Sequence, residues 1–152
     1  MKIRKYKKED EKKVQKMILS VLREIYHKTL PEWENFEDYS LFLVAEEKEK
    51  IIASLALKKK SKKIVKLKRM YVKTSFQRKG IGQKILEEAI NFCKEKRFQK
   101  IILTTYSPMK PAIKFYQKNG FKIVKNPPDL FFTHPQLKIY NQNQIAMERN
   151  IK

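Results

Sequence analysis

Residues 77 to 83 read Gln-Arg-Lys-Gly-Ile-Gly-Gln, and no other stretch of the chain is as well suited to chemistry. Glycines two apart let main-chain amides approach a ligand closely, because no Cβ stands in the way. The stretch lies where a strand pattern gives way to a helix pattern. The unpaired first amides of the helix and the positive end of its dipole therefore face the same point. Arg78 and Lys79 add formal charge. Gln77, Arg78, Lys79, Gly80, Ile81, Gly82 and Gln83 are thus candidates to hold a diphosphate. A Gly-x-Gly pair alone is common at helix starts and carries little weight. Its context carries more: the chain has three glycines, 80, 82 and 120, all at strand–helix or helix–strand junctions around one unit. No Gly-Lys-Ser or Gly-Lys-Thr follows, which excludes a nucleoside-triphosphate loop, and the third glycine of a dinucleotide fingerprint is missing.

Other reactive groups are few. Cys93 is the one cysteine, so no internal disulfide is expected, and its apolar helical neighbours suggest a structural thiol. His27 and His134 have no histidine or cysteine at ligand spacing, so no metal site is expected. The formal charge of +20 fits a nucleic-acid partner, an anionic cofactor or a well-solvated lysine-rich surface. It is unevenly spread. Residues 58 to 69 carry eight cations and no acid, whereas Glu32, Glu34, Glu37, Asp38, Glu46, Glu47 and Glu49 share a window whose one base is Lys48.

A chain of 152 residues suits a single domain over 1–152, and a 41% hydrophobic fraction argues against disorder. No apolar run reaches the roughly 18 residues needed to span a bilayer. The start Met1-Lys2-Ile3-Arg4-Lys5 also lacks the apolar core of a secretory signal. The expected address is cytoplasmic, without a membrane partner.

Periodicity supplies the elements. A strand over Ile3–Tyr6 precedes a helix whose buried face is Val14, Met17, Ile18, Val21, Leu22 and Ile25. Residues 29–39 read as irregular or as a short helix. Strands over Leu41–Ala45, Ile51–Leu57 and Ile64–Val72, separated by polar turns, form an antiparallel meander. The third should alternate, with Val65, Leu67 and Arg69 on one face against Lys66 and Lys68 on the other. A second helix follows, with Ile81, Ile85, Ala89, Phe92 and Cys93 as its buried stripe and Lys94, Lys96 and Arg97 in its last turn. Ile101–Tyr106 is expected as a fully buried parallel strand. A short helix from Pro111 ends at Gly120. Strands over Phe121–Val124 and Gln144–Arg149, flanking a proline-bearing loop over Asn126–Pro135, complete a mixed α/β (α+β) domain.

At this point the chain resembles the GCN5-related N-acetyltransferases. Leu67-Lys68-Arg69-Met70-Tyr71-Val72 followed by Gln77-x-x-Gly80-Ile81-Gly82 is similar to that family's fourth strand and pyrophosphate loop. Ala112-Ile113-x-Phe115-Tyr116-x-x-x-Gly120-Phe121 is similar to its later helix and strand, and Ile145-Ala146-Met147 to its last strand. The resemblance implies a mostly antiparallel sheet of six or seven strands flanked by helices and splayed between the fourth and fifth strands. It implies acetyl-CoA as cosubstrate without metal, an amine acceptor, and direct attack through a tetrahedral intermediate. Met70, Tyr71 and Val72 would line the cofactor arm, and Tyr116 would sit beside its sulfur as general acid. The acidic, aromatic segment would border the acceptor channel, where acids attract a protonated amine and aromatics hold its cation face. Glu37 and Glu34 stand first there.

Two positions depart from the family pattern. Lys66 falls where a base-forming glutamate is often found, and Met109 where an asparagine is common. They leave the base unassigned and admit a non-catalytic acyl-CoA sensor on the same fold. A basic nucleic-acid or ribosome-binding module ranks lower, because the 58–69 run lacks interleaved aromatics. A homodimer is left open.

Overall fold

The computed structural model describes residues 1–26, 38–132 and 144–151. Their elements run β1 (Lys2–Lys5), α1 (Glu11–Tyr26), β2 (Leu41–Glu47), β3 (Lys50–Lys59), β4 (Ile64–Val72), α2 (Ile81–Glu95), β5 (Lys100–Tyr106), α3 (Lys110–Lys118), β6 (Lys122–Val124) and β7 (Gln144–Asn150). The strands form one seven-stranded sheet in the order β1-β2-β3-β4-β5-β7-β6. Pairing is antiparallel for β1 with β2, β2 with β3, β5 with β7 and β6 with β7. The β3–β4 hairpin is antiparallel too, since Lys60 N bonds to Ile64 O at its turn and Lys73 N to Ile52 O at its far end. β4 and β5 are parallel, with Ile64–Lys66 in register with Lys100–Ile102. A helix links them, as a parallel pair requires, and the pair fits the expected splay.

Two compact units divide the chain, Met1–Lys58 with Leu67–Phe92, and Lys59–Lys66 with Cys93–Lys152. In the first, Val14, Met17, Ile18, Val21 and Leu22 of α1 bury their side of the helix against Phe42, Val44, Ile51 and Ala56. Arg4 grips the Asp10 carboxylate with two hydrogen bonds of 2.8 and 2.9 Å ahead of α1 and also reaches Glu46. In the second unit, Ile102 of β5 and Ala146 of β7 pack with Phe131.

Both α2 and α3 end in a left-handed cap. Phe98 N bonds to Cys93 O and Arg97 N to Lys94 O, while Phe121 N bonds to Tyr116 O and Gly120 N to Gln117 O. Each pair is a Schellman motif, with Gly120 (φ +86°) and Arg97 (φ +64°) at the left-handed position. Lys94 therefore lies in the last turn of α2, but Lys96 and Arg97 fall beyond it, contrary to the sequence expectation.

Lys66 is 4% exposed between the buried Val65 and Leu67, so both faces of β4 are covered over these residues. Two further expectations need correction. β5 is buried over Ile101–Leu103 but half-open over Thr104–Tyr106. Phe92 is half-buried; Leu86 and Ile90 join the buried stripe of α2 instead.

Candidate functional site

In mid-β4 the backbone turns left-handed at Arg69, with φ +53°. For an L-residue that conformation costs about 1–2 kcal/mol. A left-handed residue inside a strand is bulge geometry, which re-aims the residues beyond it. Two hydrogen bonds hold it. The hydroxyl of Ser54, fully buried on β3, donates to the Arg69 carbonyl at 2.6 Å. Arg69 Nε donates to the Tyr39 hydroxyl at 3.1 Å, and Tyr39 stands edge-on to Phe42. Met70, Tyr71 and Val72 come next, all half-buried. Tyr71 packs against the α1 core, and burial pushes its phenol up while the Arg69 charge opposes the shift.

The strand then enters the glycine loop through a 3-10 turn over Thr74–Phe76. Gln77 Nε2 donates to the Val72 carbonyl at 2.9 Å, fastening the loop to the end of β4. Arg78 (φ +64°) and Gly80 (φ +79°) are left-handed, with Lys79 between them. Alternation of hand turns successive N–H groups to one side, a concavity that suits an anion. Gly80 O accepts from Lys84 N at 3.1 Å and so opens α2, leaving the first-turn amides of Ile81, Gly82 and Gln83 without helical acceptors. A Cβ on Gly80 would meet nothing within 4 Å, so its φ, not crowding, calls for glycine. Ile81 is buried and anchors the helix start. Gln83 Nε2 donates to Glu87 at 3.1 Å. Arg78 and Lys79 are exposed, with Lys79 Nζ 5.3 Å above the Phe76 ring.

The second unit carries Tyr116, 8% exposed on α3. Its ring stands at a steep angle to both Phe115 and Phe121, each centroid 5.6 Å away. Arg149 of β7 donates to the Asn119 carbonyl at 3.0 Å, which ties the end of α3 to the sheet. Met109 precedes α3 and makes no side-chain cap; a thioether is a poor acceptor for the helix amides. Lys66, at the position where the resemblance looks for a carboxylate, is a buried lysine opposite Ile102. Cys93 is buried, and burial pushes its thiol up to about 12.

Glu34 and Glu37 lie outside the described residues. Of their segment Asp38 is described as exposed and Tyr39 as half-buried. Sequence reasoning missed Ser54 and the Tyr39–Arg69 bond. Ser54 did leave a signal, as the lone hydroxyl in the apolar run Ile51–Leu57.

The profile of the acetyltransferase (GNAT) family matches residues 11–121, and the chain belongs to that family. It is 36% identical over 70 residues to N-alpha-acetyltransferase 50 of Danio rerio, a match covering 42% of each protein. The chain spans less than half the length of the curated relatives it matches. A GNAT-family acetyltransferase from Staphylococcus aureus Mu50 has the same fold, with TM-score 0.86, 25% identity and 99% of each chain covered. So does the PaiA N-acetyltransferase of Thermoplasma acidophilum, crystallised with coenzyme A, with TM-score 0.76, 23% identity and 98% of each chain covered.

Proposed function

We propose that this chain is a single-domain, cytoplasmic N-acetyltransferase that uses acetyl-CoA and a primary amine. The observation that carries the reading is the left-handed pair Arg78 and Gly80 at the mouth of α2, in a chain of the GNAT family. Acetyl-CoA supplies the activated acetyl group. The amides and charges of residues Gln77 to Gln83 hold a diphosphate. Met70, Tyr71 and Val72 offer main chain to an extended arm, as a sheet edge does to an added strand. A main-chain N–H near Val72 holds the oxyanion of the tetrahedral intermediate; such a donor is typically worth about 3 kcal/mol. The Tyr116 phenol is the proton donor to the leaving thiolate. Glu37 and Glu34 are the leading acids for the acceptor side. A small cationic amine and a protein amine fit them equally.

A screen of amines with thiol detection, run beside Tyr116→Phe, tests the proposal. Release of CoA thiol that depends on an amine supports it. Glu34→Gln and Glu37→Gln should raise the acceptor KM or lower kcat without changing CoA affinity. The buried Lys66, in place of a carboxylate, favours one second reading, a non-catalytic acyl-CoA sensor. Tight CoA binding with no turnover on any amine would establish that instead.

A further inference from the structure

Three segments of the second unit meet where β4 begins. Lys60 N and Ser61 N donate to Ile64 O at 2.9 and 3.2 Å, closing the hairpin tip. Gln99 N and Lys100 N both donate to Lys63 O, at 2.8 and 3.2 Å, and fasten that tip to the chain leaving α2. Ile151 N donates to Gln99 O at 2.8 Å and brings in the end of β7. These bonds bring together the segments bearing Lys59, Lys62 and Lys63 on the tip and Lys94, Lys96 and Arg97 at the end of α2, all exposed. None of the six forms an ion pair with a described residue. Glu95 is the one acid within the two runs, and Glu148 on the neighbouring strand is already engaged by Lys100 at 2.7 Å.

Lysines often guard an open sheet edge. That explanation does not apply here, because β3, β4 and β5 are interior strands. Nor does the face offer apolar anchors: among the described residues the exposed large hydrophobics are Met1 and Ile123, outside all three segments. Stacking on unpaired bases needs aromatics, and insertion into a lipid surface needs an apolar wedge. What the face provides is point charges on a rigid main-chain frame, the chemistry that neutralises phosphodiesters without reading bases.

We propose that this basic face, built from the β3–β4 tip and the end of α2, docks on the phosphate backbone of a double-stranded nucleic acid. The face shares no residue with the glycine loop, and the proposal does not depend on acetyl transfer. Fluorescence anisotropy of the full chain tests it against an RNA duplex, the DNA duplex of equal sequence, their single strands and phosphatidylserine vesicles over a salt series. Duplex binding is expected to exceed binding to single strands and vesicles. The RNA and DNA arms tell which duplex is preferred, and either supports the proposal. The triple variant Lys62→Gln, Lys63→Gln, Lys96→Gln should flatten the log–log salt slope by about 3, at roughly 0.9 per lost phosphate contact, and weaken binding about tenfold or more. The triple variant Lys5→Gln, Lys12→Gln, Lys16→Gln removes the same net charge elsewhere and should bind duplex nearly as wild type does. Thermal unfolding checks that both variants are folded. Failure to bind duplex, equal losses in the two variants, or preference for single strands or vesicles overturns the proposal.

Discussion

The Ser54 hydroxyl on β3 and the Arg69 carbonyl on β4 are joined at 2.6 Å, and the residue so held has the left-handed backbone that an arginine rarely adopts. Removing the donor with Ser54→Ala should cost about 1–3 kcal/mol, because a partly buried carbonyl loses its partner. Under the proposed function, kcat should also fall further than CoA affinity, since Met70 to Val72 lose their aim. Thermal unfolding and steady-state kinetics read both effects. Unchanged melting in Ser54→Ala would remove this role from the bond.

Gly80 separates conformation from crowding. Because its φ is +79° and nothing lies within 4 Å of a would-be Cβ, Gly80→Ala should cost only the backbone term, about 1–2 kcal/mol. Asparagine, which tolerates this region better, should cost less. CoA affinity by calorimetry should follow the same order, wild type above Asn above Ala. An alanine variant that binds CoA as wild type does would deny the loop its assigned task.

Tyr116→Phe keeps the edge contacts with Phe115 and Phe121 and deletes one oxygen. Turnover should drop on the order of 100-fold or more, the usual scale for losing a general acid. CoA affinity should hold. Full turnover in this variant would return the tyrosine to the core.

Cys93 should ignore thiol reagents in the native protein. With its thiol pushed up to about 12 by burial, almost no thiolate exists at pH 8 and access is closed. Titration with a disulfide reagent should show no reaction until denaturant is added, and one equivalent afterwards.

The Asp10 carboxylate is held below its ordinary range, first by the Arg4 guanidinium and then, against the cost of burial, by the Lys7 amide. A depressed folded value means the stabilisation is present above the ordinary carboxylate range and lost as pH falls through the lowered one. Stability should therefore decline below about pH 4. Asp10→Asn should remove much of that decline and cost roughly 2–3 kcal/mol at neutral pH, where a charged acceptor of several hydrogen bonds is lost. A pH series of chemical denaturation would show both.

The strands Leu41–Glu47, Lys50–Lys59 and Ile64–Val72 were readable because apolar runs alternate with lysine-rich or acidic turns. The burial of β4 was not. Alternation of residue type separates two faces but does not say what covers each, and Lys66 is about as buried as Val65 and Leu67 beside it. Helix ends show the same contrast. Gly120 announces a left-handed cap by its type, whereas Arg97 takes the equivalent position with no such mark. Arg69 is equally silent in sequence, although the hydroxyl that steadies it was in plain view at Ser54. Of the candidate site, the glycine loop was legible from residue types alone; the hydrogen bonds behind it depend on partners 15 and 30 positions away.

β7 lies between β5 and β6, although it comes after both in the chain. During synthesis β5 must therefore wait with one ladder of amides and carbonyls unmet, and β6 with no strand to join, until residues 144–150 emerge. Such late, distant closure slows folding and leaves a sticky margin exposed. Shortening the chain within this segment would strand that margin permanently, turning an interior seam of the sheet into a template for pairing between molecules.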